Sequence, residues 1–367
     1  MKLIKAVLFS LILFLQFISC KDTGTGPDQK PFKDPRKMNW TVDTIIYPGS
    51  MQTLLHSLWG SSPKDVYAVG HNESNNGQIW HYDGIKWVPV DLFQYVERNG
   101  LTLQKVFGFG PDDFWVIGAK DYSSAGYTHR QSLVLQNNDV WKEHQLNYFS
   151  WLMGITGSSS RDIWVCGGNG IVMNYNGYNW RVDTVRIKKF HYDTEYVLRG
   201  IAKIDNDIVL IATTSNFTLA RREQYYIRGS IKNWAVVDSS IFTNENWGDD
   251  SRWGDHGIFQ SNTGKIYSYG GGGVWALDIK NNQWAQILKN NYYMNSVFGL
   301  SDDYLIATAD FGKIWLYNKS VWTELSNLVP GQGQLQIYDV WTNGDEMFFL
   351  TLSTNSYPMK TLILHGK

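Results

Sequence analysis

The chain has 367 residues, with 33 Lys and Arg against 34 Asp and Glu, a formal net charge of −1, and 18% charged residues against 15% aromatic. That balance excludes the basic surface a nucleic-acid partner needs, and two cysteines exclude a disulfide-stapled scaffold. A charged share below the usual quarter or so fits an aromatic-rich all-β protein.

Residues 1–19 are read as a secretory signal: Lys2 and Lys5 form a basic head, and 6–17 is an apolar run too short to span a bilayer with ease. Phe17-Ile18-Ser19-Cys20 follows and resembles the lipobox of bacterial lipoproteins, with Phe17 where Leu is usual. The resemblance implies cleavage before Cys20, acylation (palmitate) of that cysteine and a lipid anchor in the bacterial envelope, at the outer membrane or cell surface. The plainer alternative is an ordinary signal peptide with an incidental cysteine. Residues 20–38 are expected to be the lipidated cysteine and a flexible tether, since 21–36 is polar and rich in Gly, Pro and Asp. Removal of 1–19 takes away two lysines and no acid, which moves the charge from −1 to −3.

Residues 39–367 carry a repeat. Its clearest copy runs from Ser57 to Trp87: an apolar strand at 54–59, a Gly-Ser-Ser-Pro-Lys-Asp turn, a strand at 66–69, a third at 79–82, the hairpin signal Asp83-Gly84, and a fourth strand marked by Trp87. Trp141, Trp180, Trp234, Trp284 and Trp322 close further copies. The last copy starts near Asp339 and ends at the C-terminus without a fourth strand, while Met38–Asp43 looks like a fourth strand without a unit. Four short strands repeating at roughly 40–50 residues predict a β-propeller. The expectation is seven four-stranded antiparallel blades, at about 53–91, 102–147, 151–183, 197–238, 255–288, 294–326 and 335–367, the last completed by 39–46.

Of 17 tryptophans, seven are the closing positions: Trp40 and the six named above. Trp59, Trp80, Trp115, Trp164, Trp275, Trp315 and Trp341 share strand positions, which is what core packing produces. Trp151, Trp247 and Trp253 fall outside the register. The last two lie in a loop with Asp249, Asp250 and Asp255, where three readings stand. The rings could stack on a sugar while the acids take its hydroxyls; the acids could hold a structural cation; or the loop folds over the blade edge as packing. No other cofactor is expected.

Long insertions fall between second and third strands (71–77, 119–131, 213–228, 353–360) or between blades (91–100, 183–196, 238–255). In an antiparallel blade both classes emerge at one end of the ring, and exposed loops on a rigid scaffold carry binding. Tyr122, Tyr127, Arg130, Arg221, Arg222 and Tyr225 belong to that end and are candidate ligand contacts, each with solvated loop as the alternative.

No HExxH, CxxC or Gly-x-Ser-x-Gly is present, and the eight histidines show no metal-ligand spacing. His81 and His365 recur at one place in the unit, which argues for packing. Trp59-Gly60-x-Ser62-x-x-Asp65-Val66-Tyr67-x-Val69-Gly70 followed by Ile79-x-His81-Tyr82-Asp83-Gly84-x-x-Trp87 resembles repeats of secreted bacterial propeller lipoproteins, and is similar to Kelch and galactose-oxidase-type propellers. The resemblance implies the fold, not an activity; the copper ligands of galactose oxidase have no counterpart. The expected role is a monomeric recognition module that holds an envelope protein or a glycan. The alternative is a glycoside hydrolase or lyase using loop carboxylates.

Overall fold

Short runs of β-branched and aromatic residues, broken by Gly, Asp and Asn turns, give strands and little else. The computed structural model describes residues 32–74, 76–96, 100–124, 127–187, 194–216, 221–243, 251–353 and 357–367, all within the unit Pro31–Lys367. The signal segment, Cys20 and 21–31 lie outside the described residues.

In chain order the strands are β1 (Trp40–Ile45); β2 (Thr53–Ser62), β3 (Asp65–Asn72), β4 (Ile79–Tyr82) and β5 (Trp87–Pro89); β6 (Thr102–Gly110), β7 (Asp113–Ser124), β8 (Tyr127–Asn138) and β9 (Val140–His144). There follow β10 (Leu152–Ser159), β11 (Asp162–Gly167), β12 (Ile171–Tyr175) and β13 (Trp180–Thr184); then β14 (Thr194–Ile204), β15 (Asp207–Asn216), β16 (Arg221–Ser230) and β17 (Asn233–Thr243). The rest are β18 (Gly257–Gln260), β19 (Ile266–Asp278), β20 (Gln283–Ser301), β21 (Tyr304–Ala309), β22 (Ile314–Asn318), β23 (Val321–Leu325), β24 (Leu335–Thr342), β25 (Met347–Ser353) and β26 (Thr361–Gly366). Two 3-10 turns, Pro35–Lys37 and Gln332–Gln334, are the helical segments among the described residues, and no helix there is long and apolar enough to cross a membrane.

The chain is an all-β propeller. Its hydrogen bonding differs from seven separate four-stranded sheets: there are five sheets, three of four strands, one of six and one of eight. The differences have local causes. His71 pairs with Thr102, which joins β3 to β6. β20 pairs with β19 through its first half and with β21 through its second, so one strand serves two neighbours. β19 turns its own corner at 270–273: a Cβ on Gly273 (φ +138°) would lie 1.8 Å from the Leu288 carbonyl oxygen, so only glycine fits there.

Both faces of the strand sets are apolar and are buried between neighbours. Seven apolar clusters occur among the described residues, each drawn from two consecutive strand sets. One of Trp87, Trp141, Trp180, Trp234, Trp284, Trp322 and Trp40 packs against each. The cluster of Leu55, Leu58, Val66 and Trp80 with Trp341, Phe348, Leu350 and Ile363 joins the first set to the last. β2 touches β6, β6 touches β10, β10 touches β14 and β14 touches β18; β18 touches β20, β20 touches β24, and β24 returns to β2.

β1 runs antiparallel to β26 in continuous register from Trp40↔Gly366 to Ile45↔Thr361. It completes a sheet ordered β1-β26-β25-β24. The flexible stretch expected up to residue 38 is shorter than the sequence suggests. Phe32 and Met38 are buried among Ile337, Phe349 and Leu364; Phe32 meets Tyr304 edge-on at 5.7 Å, and Lys33 N donates to Gly344 O at 2.7 Å. Two apolar side chains in a polar run found a groove to fill.

His81 and His365 occupy equivalent places. Each bonds an acid 2.8 Å away (Asp65, Glu346) and stacks on an aromatic ring, Tyr67 at 4.4 Å and Phe348 at 3.8 Å.

Candidate ligand-binding end

The innermost strands share one irregularity. Register slips by a residue between Leu55 and Ser57, Leu103 and Lys105, Leu152 and Gly154, Leu198 and Gly200, Met294 and Ser296, and Ile337 and Asp339. The skipped residues are His56, Gln104, Met153, Arg199, Asn295 and Tyr338. His256 stands at the matching place before Gly257-Ile258, as Arg199 stands before Gly200-Ile201. A bulge leaves its extra residue unpaired and re-aims its side chain. Six of these seven side chains can hydrogen-bond. His56 and Tyr338 stack at 6.1 Å across neighbouring inner strands.

Lys105 reaches past β2: from β6 its Nζ comes within 3.7 Å of Asp339 Oδ2 on β24, and its charge bears on His256 and Tyr269. Burial pulls the Lys105 ammonium down, and Asp339 together with Tyr269 more than offsets that, so it sits above its ordinary value. Asp339 is itself buried and accepts from Ser57 Oγ (2.9 Å), Leu58 N (3.0 Å), Ser296 Oγ (2.6 Å) and Val340 N (3.0 Å). Burial, with His71 adding to it, pushes His56 down to about 4; burial, then Lys105 and Arg199, pushes His256 down to about 3. Both are therefore neutral at pH 7, and His256 Nδ1 lies 3.3 Å from Tyr293 Oη.

At the loop-rich end, Asp255 is buried, accepts from Arg222 Nη1 at 3.1 Å and takes Gly271 N at 2.9 Å. Those bonds commit its carboxylate. Trp253 is fully buried, edge-on to Tyr226 at 6.3 Å in the cluster between β16 and β19. It offers no ring face for a sugar to stack on, because it fills the gap between two sheets. Trp247, Asp249 and Asp250 lie outside the described residues. So do the side chains of Tyr122, Tyr127 and Arg221, whose backbones belong to β7, β8 and β16. Tyr225 Oη donates to Glu223 Oε2. Arg130 pairs with Asp121 Oδ1 at 2.9 Å and lies 4.6 Å over the Trp151 ring.

No family model matches this sequence, and no curated protein matches it either. Solved structures do match in fold. YCF48 bound to D1 peptide is 12% identical with a TM-score of 0.56, over 92% of this chain and 98% of that one. YCF48 from Cyanidioschyzon merolae is 12% identical with a TM-score of 0.53, over 88% and 98%. The extracellular domain of BT4673 from B. thetaiotaomicron is 12% identical with a TM-score of 0.54, and the match spans 88% of this chain but 39% of that one. At this identity the likeness is one of fold: a β-propeller.

Two features of this end escape a sequence reading. Tyr148, Phe149 and Trp151 stand 40%, 53% and 41% exposed in the loop before β10, beside the β7–β8 hairpin, and His129 meets Phe149 edge-on at 5.6 Å. Trp151 was visible as a tryptophan out of register; the two residues before Ser150 carried no such signal. The bulged residues were invisible because a bulge exists only relative to a partner strand. Two grooves of about 570 and 560 Å³ open between outer strands. One, beside Trp141, Lys142 and Arg161, has no acid on its wall; the other has Asp183, which accepts from Lys232 N and Trp234 Nε1. Neither brings two carboxylates together. Among the described residues no group of three or more His, Cys, Asp or Glu forms a metal-binding cluster.

Proposed function

We propose that this chain is a lipid-anchored recognition module of the bacterial envelope, a seven-bladed propeller that binds a peptide or protein partner on its loop-rich end. The blade count is supported by the apolar clusters, each with its own tryptophan, and by the cycle of inner strands. On that reading the six-stranded and eight-stranded sheets are each two blades. The anchor is supported by Cys20 at the end of the apolar run, and envelope or extracellular placement by the likeness to an extracellular domain.

The observation that carries the binding role is the make-up of the loop-rich end. Exposed Tyr148, Phe149 and Trp151 adjoin a projecting hairpin, while the axial carboxylates Asp255 and Asp339 are spent on internal partners. Aromatic anchors suit a protein interface. A fold neighbour carries a bound D1 peptide, which favours a peptide over a sugar. A glycan is further disfavoured because Trp253 is buried and one face of Trp151 is covered by Arg130. A hydrolase or lyase needs two free carboxylates facing one space, and the described acids of this end are engaged.

The test is a pair of arrays, peptide and glycan, probed with the full chain carrying Cys20→Ser. The reading expects peptide hits that Phe149→Ser with Trp151→Ser weakens at least tenfold. Glycan hits alone, or turnover of an oligosaccharide, would replace it.

A further inference from the structure

We propose that the loop-rich mouth of the axial channel is a site for the C-terminal carboxylate of a peptide, with Arg199 pairing to the carboxylate and Gln224 accepting the N–H of the ligand's last residue. This deepens the recognition reading and rests on it.

Most of the charged groups near the inner strands have a partner. Lys105 faces Asp339, and Arg222 faces Asp255. Asp310 is engaged by Asn295 Nδ2 at 2.9 Å. Arg199, aimed by its bulge and half-buried, donates through Nε to Thr213 Oγ1 at 3.4 Å and pairs with no carboxylate among the described residues. Its charge bears on His256, the matching residue before β18, and on Tyr293 of β20. A partly desolvated cation without a counter-ion is a standing cost that a bound anion removes. The planar fork of a guanidinium matches a carboxylate with two parallel hydrogen bonds.

The second observation is an orphaned acceptor. Gln224 is 1% exposed, and its Oε1 has no hydrogen-bond partner among the described residues. Gln224 is the cross-strand partner of Thr213, so the two side chains share a face of the β15–β16 ladder. That face is the one on which Thr213 meets Arg199. A buried acceptor without a donor is uncommon in a folded protein and asks for one. The last residue of a peptide carries an anion and an amide N–H together, which answers both groups. An internal segment has an amide N–H but no backbone anion beside it, so a terminus fits this pair of groups and a through-running segment does not.

The experiment uses the full chain carrying Cys20→Ser. Random hexapeptides are screened with a free C-terminus and, in a parallel arm, as C-terminal amides. The proposal expects hits in the free-acid arm. Amidation of a selected peptide should weaken it at least tenfold, Arg199→Gln should weaken the free acid by a similar factor, and Arg199→Gln should leave the amide unchanged. An unaltered urea midpoint shows that the variant folds, and Arg199→Lys should keep part of the affinity. Hits indifferent to both amidation and Arg199 overturn this site while the recognition reading stands. Hits that depend on an internal Asp or Glu and not on the terminus overturn it too. An absence of peptide hits in both arms, with glycans bound instead, overturns both.

Discussion

Asp339→Ala is the substitution that should cost this fold most for its size. The carboxylate is 6% exposed and accepts four hydrogen bonds, from β2, from β20 and from its own strand, while Lys105 approaches from β6. Truncation leaves Leu58 N, Val340 N and two serine hydroxyls without that acceptor, and an axial ammonium without its counter-charge. An unsatisfied buried donor costs about 1–3 kcal/mol, and breaking a buried ion pair about 3–5 kcal/mol. The hydroxyls can turn to other acceptors, and Lys105 retains some water, so the terms overlap. About 4 kcal/mol is the expected loss, read as a fall of roughly 1 M in urea midpoint for a slope of about 4 kcal/mol/M, above the small-protein range. Asp339→Asn keeps the size and one acceptor and should lose about half as much. Lys105→Met leaves the carboxylate its four donors and should cost about 1 kcal/mol; the double variant should then show coupling between the two sites. A loss within ~1 kcal/mol for Asp339→Ala, against the ~4 kcal/mol expected from those terms, would mean that the inner strands are not tied together at this carboxylate.

Deleting 39–46 removes every β1 partner of β26 and the buried Ile45, and should abolish the cooperative melt; an unchanged melting curve would refute the β1–β26 pairing as a structural need. Phe32→Ala should cost about 2–3 kcal/mol, at or just below the range for a buried phenylalanine, and no change in urea midpoint would return 32–38 to a loose tether. Stability should fall as pH drops from about 6.5 towards 4, in part through His144. Burial, then Lys142, pushes His144 down to about 4; its Nε2 donates to Gln136 Oε1 at 3.1 Å, and its Nδ1 accepts from Trp180 Nε1 at 3.1 Å. The folded state keeps this ring neutral while the unfolded chain takes up a proton below about 6.5, so the contribution is complete above that pH and is lost below it. His144→Gln should flatten the profile over that window in urea titrations, and an identical slope in wild type and variant would contradict the assignment. Cys20→Ser should move the protein out of the membrane fraction, and retention there would point to another anchor.

The repeat was legible because its markers are local. Asp83-Gly84 forces a turn, Trp87 closes a strand four residues on, and the orphan strand at Met38–Asp43 pointed to the unit at 335–367. What was illegible depends on partners distant in sequence. Trp253 is a core residue because β16 and β19 leave a gap of its size, and no property of a tryptophan between Arg252 and Gly254 announces that gap. Asp255 is neutralised by Arg222, which a loop reading treats as a separate candidate. Phe32 docks because Tyr304, some 270 residues on, presents an edge to it. Arg199 lies near the start of the 197–238 copy with no signal of its own, and the slip in register that sets it apart is defined only by the pairing with β15.

The propeller is closed by pairing the first strand of the described chain with its last. Asn39 and Lys367 exchange both backbone hydrogen bonds, so by alternation Thr44 and Leu362 face each other in β1 and β26 as a non-hydrogen-bonded pair, flanked by the bonded pair at Asp43 and Ile363. Such pairs hold their Cα atoms about 4.5 Å apart, within the reach of a disulfide. The direct measurement is oxidation of the chain carrying Cys20→Ser, Thr44→Cys and Leu362→Cys, read by mass and by gel mobility. Near-complete cross-linking with an intact or raised melting temperature is predicted, with little in the Asp43→Cys, Leu362→Cys control. Free thiols in the first protein, or equal cross-linking in both, would contradict the closure.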